Sequence, residues 1–427
     1  MLTRGQRVTL DIEKPAAGGA MLARASGQVV MVSGAIPGER AVVEIDRVGK
    51  GVAHGRAVTI EMPSPDRRLS PIGEPACGGC AYAEIAYDRQ LQLKAEVIAD
   101  ALRRIGRIRW PGTIEIHGSQ EVGYRMRARL HYRRGGLGWF REGTHQLCDV
   151  ATTGQLRADS VAAVTGVRDW LHRQGVTDDL EIELSENVDA TERVVHLEMS
   201  TPLETALDAD GVDIPGLTGL TVADPLSSGT AHAAVLSGHP RVTDVLRIHG
   251  ADVTLRRHVL AFFQGNRFLL GALAAHVTAF LEPGESMLDL YAGAGLFAVS
   301  AAVSRHAFVV AVEGDPVSSS DLLLNTAALD GAVEPVHQSV ELFTAHWRRT
   351  VTTVVVDPPR TGLSRAAVAG LVALQARQVV YVSCDVATLA RDARVLLDAG
   401  YQLERLDGFD LFPNTPHVET VARFVRA

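Results

Sequence analysis

The C-terminal half of the sequence alternates short, largely apolar segments with helical ones. The apolar segments are SMLDLYAGAG, AFVVAVEG, TTVVVDPP and RQVVYVSC, and the helical segment FLLGALAAHVTAFL precedes them. A strand that is apolar at nearly every position must be covered on both faces, as happens in a parallel sheet flanked by helices. This alternation predicts an α/β fold, with a doubly wound, Rossmann-like domain over residues 251–427.

The first 250 residues carry different patterns, which predict two further domains. Between residues 7 and 60, short β-type runs alternate with turn clusters, so a small β-barrel is expected over residues 1–62. The segment MPSPDRRLSPIGEPA has the composition of a linker, and residues 83–106 have the apolar spacing of a helix. Residues 75–250 mix strand-like and helical segments, which predicts a central α+β domain.

Length and composition exclude several classes of protein. A chain of 427 residues exceeds what one core supports, which agrees with several domains. No apolar run approaches the roughly 20 residues that cross a bilayer, so we expect a cytoplasmic protein that is not associated with membranes. The net charge of −8 excludes a protein that is basic throughout. Four cysteines are too few and too scattered for a disulfide framework, so reduced thiols with metal or catalytic roles are to be considered.

The segment MLDLYAGAGLF has the features of a nucleotide-type binding turn. Gly293 and Gly295 let the backbone approach a ligand at the end of the first strand, and Asp289 precedes them. About 20 residues further on, Glu313 ends the next strand, where a carboxylate can accept both ribose hydroxyls of an adenosine. Since the GAG spacing lacks a phosphate-binding extension, S-adenosylmethionine is the candidate ligand. The alternative is an ordinary tight turn.

Three residues at strand ends supply chemistry for a reaction in the same crevice. Asp357 precedes two prolines, Cys384 follows a strand, and Glu419 enters the last strand. A thiol and a carboxylate together suit methylation of uracil at carbon 5: the thiolate adds to carbon 6, and the base removes the proton from carbon 5. Arg360 stands where an amine-directed methyltransferase would carry an aromatic ring. From the residues alone, Cys384 remains a nucleophile, a metal ligand or a small residue in a turn.

Motifs in order along the chain resemble one enzyme family. DLYAGAGLF, VDPPRTGL, VSCDVATLARD and FPNTPHVETVA, with AFFQGNRF before them, resemble the S-adenosylmethionine-dependent RNA uridine C5-methyltransferases, which include bacterial 23S rRNA and tRNA enzymes. The resemblance covers residues 261–427, and the N-terminal region is similar to the TRAM RNA-binding domain. It implies a class I methyltransferase domain with one set of functional residues: Gln264, Tyr291, Glu313 and Asp357 at the cofactor, Cys384 as nucleophile and Glu419 as base.

The sequence departs from this family at two points near the site. Asp385 and Val386 follow the nucleophile where the family has Asn-Pro, and Leu296 stands where a polar residue is common. A carboxylate beside Cys384 is expected to raise the pKa of the thiol. Two rivals to a uridine methyltransferase therefore stay open: an RNA-binding factor that has lost turnover, and a methyltransferase acting on another nucleophile, with Cys384 structural.

The other three cysteines resemble the metal ligands of the rRNA-directed branch. Cys77 and Cys80 form a CxxC pair and Cys148 matches a later ligand, which implies an iron-sulfur cluster. That branch has a further cysteine six residues before the pair, where this chain has Pro71. Three thiolates cannot complete a four-cysteine site. Either a non-cysteine ligand completes the cluster, or the cluster is labile, or it has been lost. Zinc would lack a ligand in the same way.

The segment YRMRARLHYRR is the clearest charge pattern in the chain. As a strand it would place Arg125, Arg127, Arg129, His131 and Arg133 on one face. Because the family has a YRxR element beside the crevice, we expect this face to contact RNA phosphates; a solvated outer face is the alternative. The TRAM-like barrel favours an RNA substrate, with rRNA preferred to tRNA by analogy. A monomer is expected.

Overall fold

The computed structural model describes residues 2–69, 71–199, 207, 212–223 and 233–426. Within these ranges the strands form a closed barrel, a seven-stranded sheet, a two-stranded hairpin and an eight-stranded sheet. None of the helices in the described ranges combines the length and apolarity that crossing a bilayer requires.

The N-terminal strands close into a barrel in the order β1-β2-β3-β5-β4. Their bounds are β1 (Arg7–Pro15), β2 (Met21–Ala25), β3 (Gln28–Ser33), β4 (Arg40–Val48) and β5 (Val52–Met62). Side chains alternate between the two faces of a strand, so Val30, Val32, Val43 and Ile45 fill the interior. The barrel expected from the sequence is confirmed.

The segment after the barrel joins the C-terminal part of the molecule. Helix α1 (Tyr87–Ala101) continues through a π-helical turn (Leu102–Gly106), so it begins four residues later than the sequence predicted. Strand β6 (Glu115–His117) lies beside the edge strand of the eight-stranded sheet. Both elements fall inside the range 75–250, but Val97, Ile98 and Ile116 pack in the core of the C-terminal sheet, and Leu93 packs in the barrel core.

The central region forms a seven-stranded sheet in the order β13-β12-β11-β10-β7-β8-β9, covered by one helix. Its strands are β7 (Arg127–Arg133), β8 (Gly136–Phe140), β9 (Leu147–Asp149), β10 (Leu180–Glu186), β11 (Arg193–Met199), β12 (Gly219–Ala223) and β13 (Ala233–Gly238), and its helix is α2 (Ala158–Arg173). A hairpin of β14 (Arg241–Ile248) and β15 (Ala251–His258) follows. Since Ile248 pairs with Ala251, the turn consists of His249 and Gly250, and the boundary expected between residues 250 and 251 falls inside the hairpin.

The C-terminal sheet has the order β18-β17-β16-β19-β20-β22-β21-β6. Its remaining strands are β16 (Ser286–Leu290), β17 (Phe308–Glu313), β18 (Val333–His337), β19 (Thr353–Val356), β20 (Gln378–Ser383), β21 (Tyr401–Phe409) and β22 (Glu419–Arg426). Its helices are α3 (Leu270–Thr278), α4 (Leu296–Arg305), α5 (Pro316–Thr326), α6 (Val340–His346), α7 (Arg365–Ala373) and α8 (Val386–Asp398).

The connections of this sheet create a crevice at one edge. Strands β16 to β20 are parallel, and the chain builds outward from β16 in both directions. Neighbouring residues Met287 and Leu288 belong to separate cores on the two faces of the sheet. The predicted doubly wound α/β domain is confirmed, and its ligand crevice is expected where the strand order reverses, between the carboxyl ends of β16 and β19.

Candidate active site

The predicted functional residues lie where the central strands end. Tyr291, Asp357 and Cys384 directly follow β16, β19 and β20. Strand β22 runs antiparallel to β20, with Ser383 opposite Thr420. Extending this register by one residue would place Cys384 opposite Glu419, and the charge of Glu419 acts on the thiol, so the two groups lie near each other.

The glycine-rich turn after β16 has the backbone conformation that glycine favours. Gly293 and Gly295 have φ values of 58° and 97°, and Tyr291 shares the left-handed region at 63°. A Cβ on Gly295 would lie 3.0 Å from Cδ1 of Leu322, so a side chain would also crowd the helix packing. The Gly293 N–H donates to Oε2 of Glu313 at 2.8 Å, which ties the turn to the end of β17.

A group of acidic residues lies behind this turn. Asp289 is fully buried, and neither of its carboxylate oxygens has a hydrogen-bond partner in the described structure. Burial raises the pKa of Asp289 well above its usual range, and the negative charges of Asp357 and Glu313 raise it further. The nearby Ala298 N–H has the opposite effect, although it is not within hydrogen-bonding geometry of the carboxylate. Burial likewise raises the pKa of Asp357 to about 7, although the Gln264 amide donates to its Oδ2 at 3.2 Å.

These residues fit a cationic adenosyl ligand. Buried carboxylates without partners are costly unless another group supplies charge and hydrogen bonds. S-adenosylmethionine carries an ammonium group and a sulfonium, and Gln264, Tyr291, Glu313 and Asp357 surround the turn where its adenosine would bind. Leu296, which replaces a polar residue of the family, is buried at the first turn of α4.

The pKa values of the thiol and the carboxylate are both raised. Burial raises the pKa of Cys384 to about 12, the negative charges of Glu419 and Asp357 add to this, and Arg360 opposes them. Glu419 is 2% exposed, its Oε1 has no hydrogen-bond partner in the described structure, and burial raises its pKa well above the usual range. Arg360 lowers this pKa as well, a role that the sequence reasoning did not assign to it.

The carboxylate of Asp385 is directed toward the backbone of α8. It caps the helix by accepting from the N–H groups of Ala387 at 3.0 Å and Thr388 at 2.8 Å. Glu419 and Asp357, rather than Asp385, are the carboxylates with the largest effect on the pKa of Cys384. The N-terminus of a helix favours negative charge, so this cap supports the turn that presents the thiol.

The sequence reasoning missed several polar residues that hold the site's loops. Asp392 accepts from the Leu363 N–H at 3.0 Å and the Tyr381 hydroxyl at 2.8 Å, which ties the loop after Asp357 to α8. Gln90 and Lys94 of α1 are buried against the segment before Glu419. Gln90 and Lys94 could have been found from the sequence, because each is a polar residue on the apolar face of the predicted helix.

The three cysteines of the central region lie in one buried cluster, and two of them are bonded to each other. Cys77 and Cys148 are joined by a disulfide bond, with their Cα atoms 5.8 Å apart, contrary to the reduced thiols expected from the sequence. Cys80 is free and buried, and burial raises its pKa to about 11. Two of the three expected sulfur ligands are therefore bonded to each other, and Pro71 offers no donor. In this disulfide-bonded form the residues do not fit an iron-sulfur cluster or zinc. The Glu74 carboxylate lies within 4.8 Å of both sulfurs, so these residues would hold a metal only after reduction of the disulfide.

The arginine-rich strand alternates as predicted but pairs with acidic residues. Ala128, Leu130 and Tyr132 are buried in the central core, and the charged residues share the opposite face of β7. On the adjacent strand β10, Glu181 and Glu183 form ion pairs with this face: Arg127, Arg129, His131 and Arg133. Arg125 lies apart, over the Phe412 ring at 5.5 Å. The face therefore presents mixed charge, which weakens its prediction as a phosphate-binding surface.

The sheet order, the glycine-rich turn and the acidic end of β17 define a class I methyltransferase. A family model for tRNA (uracil-5-)-methyltransferases matches residues 229–426, and a TRAM domain model matches residues 2–58. An uncharacterized RNA methyltransferase of Corynebacterium efficiens is 30% identical over 100% of this chain and 96% of its own length. A relative with the same description from Thermotoga maritima is 29% identical over 97% of this chain and 98% of its own length.

The chain belongs to the family of RNA uracil-5-methyltransferases, enzymes that depend on S-adenosylmethionine. Among solved structures, the tRNA (uracil-54, C5)-methyltransferase of Pyrococcus abyssi, crystallised with S-adenosyl-L-homocysteine, has a similar fold. The TM-score is 0.75 at 23% identity, covering 97% of this chain and 99% of that one.

Proposed function

We propose that this enzyme methylates carbon 5 of a uridine in structured 23S rRNA through a covalent bond between Cys384 and carbon 6 of the base. The observation that carries the proposal is that Cys384 follows the last paired residue of β20, opposite the start of β22, where the charge of Glu419 acts on its thiol. A nucleophile and a base on adjacent strands can reach neighbouring atoms of one pyrimidine ring. The uridine must leave the RNA stack to enter the crevice, so base flipping is part of the proposal.

The reaction begins and ends with the thiolate of Cys384. The thiolate adds to carbon 6, and the electron pair of the C5–C6 double bond moves onto carbon 5 and the carbonyl. When bound, S-adenosylmethionine supplies the electrophilic methyl group that carbon 5 takes up. Glu419, in its ionised form, then accepts the proton of carbon 5, and the returning electron pair expels Cys384 as a thiolate. A carboxylate with a raised pKa is a strong base once ionised, which suits this proton transfer.

The cofactor residues in the proposal are the ones that line the turn after β16. Gln264, Tyr291, Glu313 and Asp357 would bind the methyl donor, with Gly293 and Gly295 leaving room for the backbone to approach it. The exposed Arg360 follows Asp357 by three residues, and its charge lowers the pKa of both Cys384 and Glu419. It would therefore favour the ionised forms on which the reaction depends.

A tRNA substrate is the second candidate, and one observation favours it. The preference for rRNA depended on analogy, since tRNA-specific bacterial members of the family generally lack the barrel. The archaeal enzyme whose name specifies uracil 54 of tRNA aligns over 97% of this chain, and this share includes most of the barrel. A barrel of this kind therefore occurs with either class of RNA.

Covalent trapping tests the chemistry. RNA that contains 5-fluorouridine cannot lose a proton from carbon 5, so the methylated adduct stays bound to the protein. We expect a denaturation-resistant complex that carries the labelled methyl group when the enzyme meets total RNA from a deletion strain grown with 5-fluorouracil. Cys384→Ala should give none, whereas Cys80→Ala, as a matched control in another region, should keep it. Absence of the complex with the wild-type enzyme, or its survival in Cys384→Ala, would overturn the mechanism and leave an RNA-binding role.

Nucleoside mapping tests the substrate. Mass spectrometry of rRNA and tRNA, each purified from the deletion strain and its parent, should show loss of one 5-methyluridine from 23S rRNA. Loss from the tRNA fraction alone would reject rRNA and support the second candidate.

A further inference from the structure

The segment that leads into the proposed base is buried and held from outside its own strands. We call residues 410–418, between β21 and β22, the base loop. Asn414 is 3% exposed and has a positive φ of 62°, so the loop turns sharply just before Glu419. Since the described structure offers Oε1 of Glu419 no hydrogen bond, the position of this carboxylate depends on the backbone that carries it.

Gln90 of α1 makes a two-way contact with the base loop. Its side-chain Nε2 donates to Oδ1 of Asn414 at 2.9 Å, and the Asn414 N–H donates to its Oε1 at 2.9 Å. The Tyr82 N–H donates to the Asn414 carbonyl at 2.8 Å, which closes the contact. Gln90 is fully buried and lies 324 positions from Asn414 in sequence, so only the tertiary fold creates this pair.

Lys94, one helical turn further along, holds the other end of the loop. Residues four apart lie on the same face of a helix. The Lys94 ammonium forms an ion pair with Asp410, and both side chains are fully buried. It also donates to the Phe412 carbonyl at 3.3 Å. A buried ion pair is weak evidence for stabilisation, because desolvation offsets the attraction, whereas it defines geometry well.

We propose that Gln90 and Lys94 are positioning residues that set the proposed base Glu419 in place through the base loop. The inference rests on the proposed covalent mechanism and goes beyond it, because it assigns a role in one step to a helix outside the crevice. Loss of this support should slow removal of the proton from carbon 5. It should leave formation of the cysteine adduct and transfer of the methyl group largely intact, because those steps precede the action of Glu419.

The test measures the two steps separately in the full-length enzyme. Gln90→Leu removes the amide at similar volume, and Gln92→Leu places the same change on the exposed face of α1 as a control. Using total RNA from the deletion strain, we expect Gln90→Leu to lower turnover about tenfold or more, within the range that a general base contributes. Adduct formation with the 5-fluorouridine RNA should stay within about threefold of wild type. On ordinary RNA the variant should accumulate covalent complex, and Gln92→Leu should match wild type throughout.

A second pair of variants and an isotope measurement keep the proposal falsifiable. Asn414→Gly keeps the positive φ and removes only the side-chain contact, so it should shift turnover in the same direction by less. The double variant Lys94→Met with Asp410→Leu removes the ion pair without leaving a lone buried charge. In RNA carrying deuterium at carbon 5, the isotope effect on turnover should rise in each variant, because removal of the deuteron becomes more rate-limiting; a loss of folded protein would not cause this rise.

Defined outcomes separate the two levels of inference. If the wild-type enzyme forms no adduct with the fluorinated RNA, the covalent mechanism fails before any variant is compared. If the wild type forms the adduct but Gln90→Leu and Asn414→Gly lose adduct formation and turnover in equal proportion, or lose neither, the positioning role is wrong. If Gln90→Leu does not fold, Asn414→Gly alone decides between these outcomes.

Discussion

Two regions of the molecule bury several charged residues, and they differ in how those charges are paired. Between the central sheet and the hairpin that follows it, Glu186 contacts Arg193 and Arg267, while Asp244 contacts Arg257 at 2.7 Å. In the crevice, Asp289 and Glu419 have carboxylate oxygens without hydrogen-bond partners in the described structure. Paired buried charges hold elements together, and unpaired ones await a ligand. The difference therefore distinguishes a cluster of paired charges from the proposed site, whose carboxylates are available to a ligand.

Removing the charge of Glu419 should give the largest functional effect. We expect Glu419→Gln to lower turnover about 10²- to 10⁴-fold, the usual contribution of a general base. The thermal midpoint should stay equal or rise, because the amide avoids the cost of a buried carboxylate without a partner. Steady-state methylation assays and melting curves measure the two quantities. Turnover within tenfold of wild type would remove Glu419 from the mechanism.

The paired region should respond in the opposite sense. Glu186→Leu removes the carboxylate that pairs with buried Arg193 and Arg267 and leaves Arg193 with Asp159 as its remaining acidic partner, so the free energy of unfolding should fall by about 3–5 kcal/mol. Glu183→Leu, three residues earlier on the same strand, removes a partly exposed partner whose arginine contacts are 3.7–3.8 Å long, and should cost less than about 1 kcal/mol. Denaturant titration of both variants is the measurement. If both variants lost the same free energy of unfolding, the buried Glu186 would stabilise the fold no more than the partly exposed Glu183, and the prediction would be wrong.

The crevice should also respond to pH, because it holds a carboxyl with a pKa near neutrality. The pKa of Asp357 is raised to about 7, so the group is neutral below this pH and ionised above it. A cationic donor binds the ionised form better, and affinity for S-adenosylmethionine should therefore rise about tenfold between pH 6 and pH 8. Calorimetric titration at several pH values measures it, and Asp357→Asn should bind weakly with no such trend.

The same raised pKa values predict how the free protein's stability depends on pH. Between the ordinary carboxyl pKa near 4 and the raised values, the folded crevice binds more protons than the unfolded chain. Stability therefore decreases as pH rises through this window, and this contribution is fully present only below it. Asp357→Asn lacks this ionisation, so its free energy of unfolding minus that of the wild type should become more positive from pH 5 to pH 7. A difference that becomes more negative would contradict the prediction.

Asp385 should show the smallest effect, although it stands next to the nucleophile. Its carboxylate is paired with backbone N–H groups, so it resembles the structural cluster rather than the unpaired crevice acids. Asparagine caps helices as well as aspartate does, and Asp385→Asn should change turnover by less than about threefold. A large gain in activity would show that the added charge limits the thiol after all.

The sequence predicted most of the crevice because its residues are local to strand ends. The apolar runs before Tyr291, Asp357 and Cys384 predicted parallel strands, and parallel strands place their carboxyl ends at one edge. The positions of Tyr291, Glu313 and Asp357 follow from that rule, whereas Gln264 lies in a loop and reaches the crevice through its hydrogen bond to Asp357. Their roles in catalysis and binding remain predictions that the experiments above test.

The sequence did not predict contacts that join distant segments. Three cysteines were expected to bind a cluster because spacing reports neighbours, and it does not report whether two sulfurs bond to each other. The arginines of β7 were expected to face RNA, since the acidic residues of β10 are not recognisable as their partners before the strands are paired. In both cases the deciding interaction lies across strands or loops more than 40 positions apart.

The order of elements, the glycine-rich turn and the residues that end each strand were therefore determined by the sequence itself, because hydrophobic period and turn chemistry act over a few residues. The tertiary structure alone decided which charges are paired, how Asp385 is used, and that α1 holds the base loop through Gln90 and Lys94. Hydrogen bonds and ion pairs depend on distances of about 3 Å, and only the complete packing of the chain brings residues 90 and 414 that close.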